Sequence, residues 1–383
     1  MKESVLIQNK RRIKFNLSFL KKDMIFTISF VLAMGTSLFQ SPKIEYLNFP
    51  VLISLFNLML AIKAFEELRV LDKFAISLLN KCSNSKSVSA ILISLCFFSS
   101  MVVTNDVALL TFVPLTLVIS RKTKLPMMET IILQTIAANI GSSLTPMGNP
   151  QNLFIYSFYL LNPIAFFMTV LPLAILGIIS LYFFMRRLKK KDLKIEIAPI
   201  QIIEPKKTVI WGIIIVIIIA SIFGIIHYQV AFIITLMAVV ILNRKLLFKI
   251  DYLLLLTFIC FFIFVGNISN TSAVHTLASA SLKDSASIYF SSILLSQFIS
   301  NVPASILLAE FTPNWKPLLL GVNIGGLGTI IASMASVISY KLYVHSYPNE
   351  GKKYLLKFSL YNFSFLAFLT LIPYVILKIL KIF

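Results

Sequence analysis

Apolar stretches of about 17 to 25 residues recur along this chain, each able to cross a bilayer core of roughly 30 Å at about 1.5 Å per helical residue. In hydrocarbon every backbone N–H and C=O needs a partner within the protein, which leaves helices and closed barrels as spanning structures. Stretches of this length select the helix. Composition agrees: 58% of the 383 residues are apolar and 13% charged, and mean hydropathy is +0.90. Soluble proteins carry about 25% charged residues. The expected fold is an all-α polytopic membrane protein.

Segmentation predicts about nine spans, near 24–40, 47–64, 125–157, 163–185, 208–226, 229–243, 252–269, 317–340 and 354–377. Two further apolar stretches, 87–120 and 286–311, are interrupted near their middles. They read as re-entrant hairpins whose half-helices of about 13 residues reach roughly 20 Å. The net charge of +20 would suit a nucleic-acid binder, but its distribution points to the membrane. With Lys10, Arg11, Arg12 and Lys14 inside the cell, the cytoplasmic side holds 29 of the 35 Lys and Arg, as the positive-inside rule requires. Making either hairpin a full crossing would flip every later loop. The expectation is an N-terminus inside, a C-terminus outside, a lipid partner and no nucleic acid. The basic run 186–207 reads as a topology signal and lipid-facing linker. The first span lacks a small-residue cleavage pattern and is expected to stay as an anchor. Cys82, Cys96 and Cys260 have no paired spacing and read as small apolar residues. Lys63 is expected to snorkel toward the cytoplasm, and Glu129 and Glu310 to lie at the interface.

The basic linker divides the chain. Residues 1–23 form a basic cytoplasmic N-terminus, and 24–185 a first repeat with hairpin 87–120 and a broken helix at 125–157. The linker and a connector span at 208–226 lead to a second repeat, 227–383, with hairpin 286–311 and a broken helix at 317–340. At an offset of 184, residues 139–156 and 323–340 share Asn, Ile, Gly, Thr and Tyr, five of eighteen positions. In the charge-based map the two hairpins enter from opposite sides. Two units of inverted topology, each with an interrupted helix, form many secondary transporters, whose site lies near the membrane midplane.

The polar residues gather at these interruptions. Pro146 and Pro150 cannot donate backbone hydrogen bonds, and Gly141 and Gly148 permit turns. Freed carbonyls there can hold a cation, and N–H groups at half-helix N-termini favour an anion. Ser142, Ser143, Thr145, Asn149, Gln151 and Asn152 add ligands, as do Asn139, Asn323, Gly325 and Thr329. Asn139, Asn323 and the glycines at 325–328 equally suit close helix packing. The hairpin tips bring Thr104, Asn105 and Asp106 from one side and Ser300 and Asn301 from the other. Asp106 is the one acid placed deep in the membrane, a proton carrier or cation ligand, or alternatively a helix N-cap.

The segments "TNDVALLTFVPLTL" and "GSSLTPMGNPQNLFIY" resemble the ion transporter superfamily: arsenite pump membrane proteins, NhaD-type sodium/proton antiporters, citrate permeases and divalent-anion/sodium symporters. The likeness is strongest to the arsenite-pump and citrate-transporter-like branch of bacterial inner-membrane permeases. It implies a scaffold and a transport domain, often in a homodimer, an elevator-like shift, and ion sites at the tips and broken helices. A sodium ion, if used, would share these residues; no cofactor beyond a coupling H+ or Na+ is expected. Divalent-anion symporters carry Ser-Asn-Thr in each half, whereas here the tips read Thr104-Asn105-Asp106 and Ser300-Asn301-Val302, which favours acid coupling. The expected function is ion-coupled transport of a small anion, with sodium/proton antiport as the alternative and an intramembrane enzyme or a passive channel as remote ones. An energising ATPase subunit of the arsenite-pump kind stays open as a partner.

Overall fold

The computed structural model describes residues 24–193, 204–269 and 271–379; the basic N-terminus at 1–23 and the linker stretch 194–203 lie outside them. Among the described residues the regular structure is helical, with one isolated bridge between Asn84 and Asp192. The first half runs α1 (Met24–Ser37), α2 (Phe49–Glu67), α3 (Val70–Leu79), α4 (Ser85–Val103), α5 (Asn105–Thr123), α6 (Met128–Ser142), α7 (Pro150–Phe158) and α8 (Pro163–Arg186). The second runs α9 (Pro205–Ile222), α10 (Tyr228–Leu242), α11 (Tyr252–Ser269), α12 (Ser272–Ser281), α13 (Ser285–Ile299), α14 (Asn301–Ala309), α15 (Trp315–Gly325), α16 (Met334–Ser346) and α17 (Gly351–Ile379). Six of the described helices are long and apolar enough to cross a membrane, which makes this a multi-pass membrane protein.

Short polar signals set the helix starts. The Asn84 side chain accepts the Ser87 N–H and Asn149 accepts the Asn152 N–H, so α4 and α7 begin directly after them. Proline occupies the first turn of α7, α8 and α9, where its missing N–H costs nothing. Capping also corrects the expected hairpin arms. The polar first turn from Ser85 extends α4, and α5 runs on through Arg121 and Lys122 to Thr123, so each has 19 residues, about 28 Å and not the expected 20 Å. Both broken helices are interrupted as anticipated, at 143–149 and 326–333. Two helices lie in segments read as loops. One is α3, which buries Ala75, Ile76 and Leu79 on one face; the other is α12.

Packing follows one scheme in both halves. Helix α4 lies against α6, and α13 against α15. The other arms cross over: α5 packs on α16, and α14 on α7. Helices α2, α9 and α10 form a separate group, and α1 runs beside α11. Glu129 pairs with Lys357 and ties α6 to α17, while Lys63 pairs with Glu66 at 2.9 Å.

The α4–α6 contact depends on Gly141. A Cβ there would collide with the Phe97 carbonyl and with Ser100 Oγ, 2.6 Å away. Gly141→Ala should force these helices apart and lower stability by about 1–3 kcal/mol. Gly212→Ala, where a Cβ meets nothing within 4 Å, should be neutral or slightly stabilising. Thermal unfolding of both variants in detergent checks this; equal melting temperatures would refute the close-packing role.

Candidate functional site

Each helix pair turns at a single residue. Thr104 joins α4 to α5 with φ 71° and ψ 153°, and Ser300 joins α13 to α14 with φ 75° and ψ 153°. Residues other than glycine rarely take this conformation, at a cost of about 1–3 kcal/mol, and keep it only where surroundings enforce it. Here the next residue donates its N–H into the unwound segment of its own half: Asn105 to Gly148 O at 3.1 Å, Asn301 to Ala332 O at 3.0 Å. A threonine hydroxyl in each unwound segment returns a bond to a carbonyl three residues before the corner, Thr145 to Met101 and Thr329 to Gln297. A glycine in each broken helix faces a serine of the preceding arm, Gly141 with Ser100 and Gly325 with Ser296. Arm residues in these pairs differ by 196 (101 and 297, 105 and 301), and broken-helix residues by 184 (145 and 329, 148 and 332). The two halves make the same bonds.

Buried asparagines then join the halves. Asn323 Nδ2 donates to Asn152 Oδ1 at 2.7 Å, and Asn149 Nδ2 donates to Asn323 Oδ1 at 3.1 Å. Asn152 Nδ2 faces the carbonyls of Ser142, Ser143 and Thr145 at 3.1–3.3 Å, occupying acceptors that the break of α6 leaves open. Asn139 Oδ1 accepts from Asn105 Nδ2 at 3.0 Å and from Ser333 Oγ at 3.1 Å.

These contacts surround a cavity of ≈ 40 Å³. A water molecule takes about 30 Å³ in the liquid, so there is space for one small ion or water. Its polar lining is Asn105, Asp106, Gln151, Ser300, Asn301 and Ser333, with Thr257 of α11 opposite. Four helices, α5, α7, α14 and α16, begin at its wall. Each N-terminus carries roughly half a positive charge. Asp106 brings the opposite charge, and its Oδ1 is buried without a hydrogen-bond partner among the described residues. Among the described residues no Lys or Arg lines the cavity. The Gln151 and Asn301 side chains, 3% and 4% exposed, make no hydrogen bond among the described residues.

Five residues singled out from sequence therefore line the cavity: Asn105, Asp106, Gln151, Ser300 and Asn301. Asn139, Asn149, Asn152 and Asn323 stand one layer behind. Thr104 forms the corner, Gly141 and Gly325 allow close packing, and Ser142, Ser143, Thr145, Gly148 and Thr329 close the breaks. Sequence reasoning passed over Ser333 and Thr257. Ser333 was within reach, being 184 residues after Asn149 and likewise preceding a helix; Thr257 carries no signal inside its apolar run.

A larger crevice of ≈ 980 Å³ lies between the α2, α9, α10 group and helices α7 and α14. Helices α7, α11 and α14 line both spaces. Phe154 and Phe262 line the crevice, with ring centroids 5.8 Å apart, and Phe258 of the small cavity lies 6.0 Å from Phe262.

The family described as citrate transporter matches residues 12–338. An uncharacterized transporter of Methanocaldococcus jannaschii is 35% identical over 322 residues, covering 83% of this chain and 88% of its own. The inner membrane protein YbiR of Escherichia coli is 28% identical over 374 residues, 94% of this chain and 97% of its own.

The hydrogen bonds divide the amides into two kinds. Asn323→Ala leaves Asn149 and Asn152 without that partner and should cost about 2–4 kcal/mol of stability. Gln151→Ala removes an amide with no protein partner and should cost less than about 1 kcal/mol. Denaturant unfolding in detergent measures both, and similar losses would reject the division.

Proposed function

The chain belongs to the citrate transporter family and is a transporter, not an enzyme; from that premise we propose ion-coupled secondary transport of a small anion, a carboxylate or oxyanion, driven by protons or sodium across a bacterial cytoplasmic membrane. The observation that carries this reading is the small cavity where four helices begin and where Asp106 supplies the acidic group. The carboxylate takes the proton or cation within the cavity, and the N-terminal dipoles draw the anion toward it from outside, since the space holds a single small ion. Substrate binding then alters the proton or cation affinity of Asp106 through direct electrostatics, and coupling follows without a distant relay.

The matched bonds of the two halves support a reading as two repeats. The charge asymmetry supports inverted topology, with the N-terminus inside, the C-terminus outside and the corners at Thr104 and Ser300 reaching in from opposite faces. In this reading the group α2, α9 and α10 belongs to a scaffold, joined to a second copy in a homodimer. The body carrying both corners moves past it as an elevator, with the crevice as one entrance. Sodium/proton antiport is the second reading, because among the described residues no basic side chain lines the cavity and an acid does.

Flux in proteoliposomes tests both. A labelled anion should accumulate under an imposed proton or sodium gradient, and Asp106→Asn should reduce that uptake to background while the protein keeps its melting temperature. Sodium-driven alkalinisation with no anion uptake would establish the antiporter instead. Unchanged coupled flux in Asp106→Asn would remove the carboxylate from the mechanism.

A further inference from the structure

The transport reading leaves the basic run after α8 without a task. A topology signal needs only positive charge in the loop, yet here the loop is bonded to the start of a hairpin arm. Ser85 N–H donates to Lys191 O at 2.8 Å, and Leu193 N–H to Ser83 O at 2.9 Å. Ser85 Oγ donates to Lys189 O at 3.0 Å and accepts the Lys191 N–H at 2.9 Å. Lys86 Nζ reaches Arg186 O at 2.9 Å. These bonds use the backbone of the run, while the side chains of Lys189, Lys190 and Lys191 remain exposed.

The fold-back concentrates charge. Arg186 and Arg187 precede the three lysines, and Lys81 and Lys86 flank the segment of α4 that holds them. Among the described residues none of these seven cations pairs with a carboxylate, and the stretch brings one acid, Asp192. The N-terminal dipole of α4 adds to the same field. The surroundings place the cluster at a membrane surface. Tyr182 and Phe183, 53% and 58% exposed, come one turn before Arg186, as aromatic residues do at headgroup depth. Phe74 on the neighbouring amphipathic α3 is 57% exposed. Arg187 lies over the Phe184 ring at 5.5 Å.

We propose that this clamp is a binding site for anionic phospholipid, whose phosphate diester is held by Lys189, Lys190 and Lys191 with Lys81 and Lys86 beside them. Exposed aromatic rings next to unpaired cations fit a headgroup with acyl chains, where a soluble phosphate would use the cations alone. The site is attached to α4, whose other end is the corner at Thr104. Bound lipid thereby fixes one end of the hairpin arm at the headgroup plane.

The test titrates phosphatidylglycerol into the full-length protein in neutral detergent and follows its melting temperature, since a ligand of the folded state raises apparent stability. The triple variant K189Q/K190Q/K191Q should need roughly 100-fold more lipid for the same shift, because each cation near an anionic headgroup contributes about a fivefold factor. The control K352Q/K353Q, equally exposed and basic but remote in sequence, should titrate like the parent protein. Melting temperatures without lipid should agree among the three, because the altered side chains are exposed. A triple variant that titrates like its parent, or a control that loses the shift equally, overturns the proposal. So does an equal shift from free glycerophosphate, which would make this a site for soluble phosphate.

Discussion

Seven residues of unwound backbone between Ser142 and Pro150, deep within an apolar chain, would be prohibitive unless their polar groups found partners. Each unpaired group costs several kcal/mol in hydrocarbon. Asn152 meets two of those carbonyls, Ser143 and Thr145, and that of Ser142 before them, Asn105 takes the Gly148 carbonyl, and Asn149 caps the helix that resumes. Much else follows from this closure. It holds the Thr104 corner in its costly conformation, aims the start of α5 at the start of α7, and leaves the cavity between them. The second half repeats the arrangement at Ser300 and Ala332, and Asn323 locks the halves together through Asn149 and Asn152.

The resulting polar centre is economical in charge. Four helix starts and one carboxylate face a space for a single small ion, and around it the amides that hold backbone differ from those left unpartnered. Asn149, Asn152 and Asn323 direct their hydrogen bonds to the fold, whereas the Gln151 and Asn301 side chains make none among the described residues.

Much of this was legible in the sequence. The apolar runs announced helices, and the prolines and glycines at 141–150 announced a break, because an unbroken helix tolerates neither well. Asp106 stood out as an acid where hydrocarbon admits few. Other features were hidden for physical reasons. Helix α4 is longer than hydropathy suggested, since Asn84 caps a helix whose first turn is polar. The site residues Ser333 and Thr257 resemble ordinary polar residues, and their position depends on packing across distant segments. Gly141 and Thr145, expected among the ligands, also serve the close approach of α4 and the closure of the corner, which the sequence did not signal.

The sequence by itself determined that this chain is a helical membrane protein, that two of its helices break, and that an acid and a set of amides cluster near the breaks. Hydropathy and backbone chemistry are local properties, readable residue by residue. Only the tertiary structure decided which amides face the cavity and which face the backbone, that α5 and α14 also pack on the other half, and that the basic linker folds back on α4. Those outcomes depend on contacts between residues about 100 to 200 positions apart, and a linear pattern records no such distance.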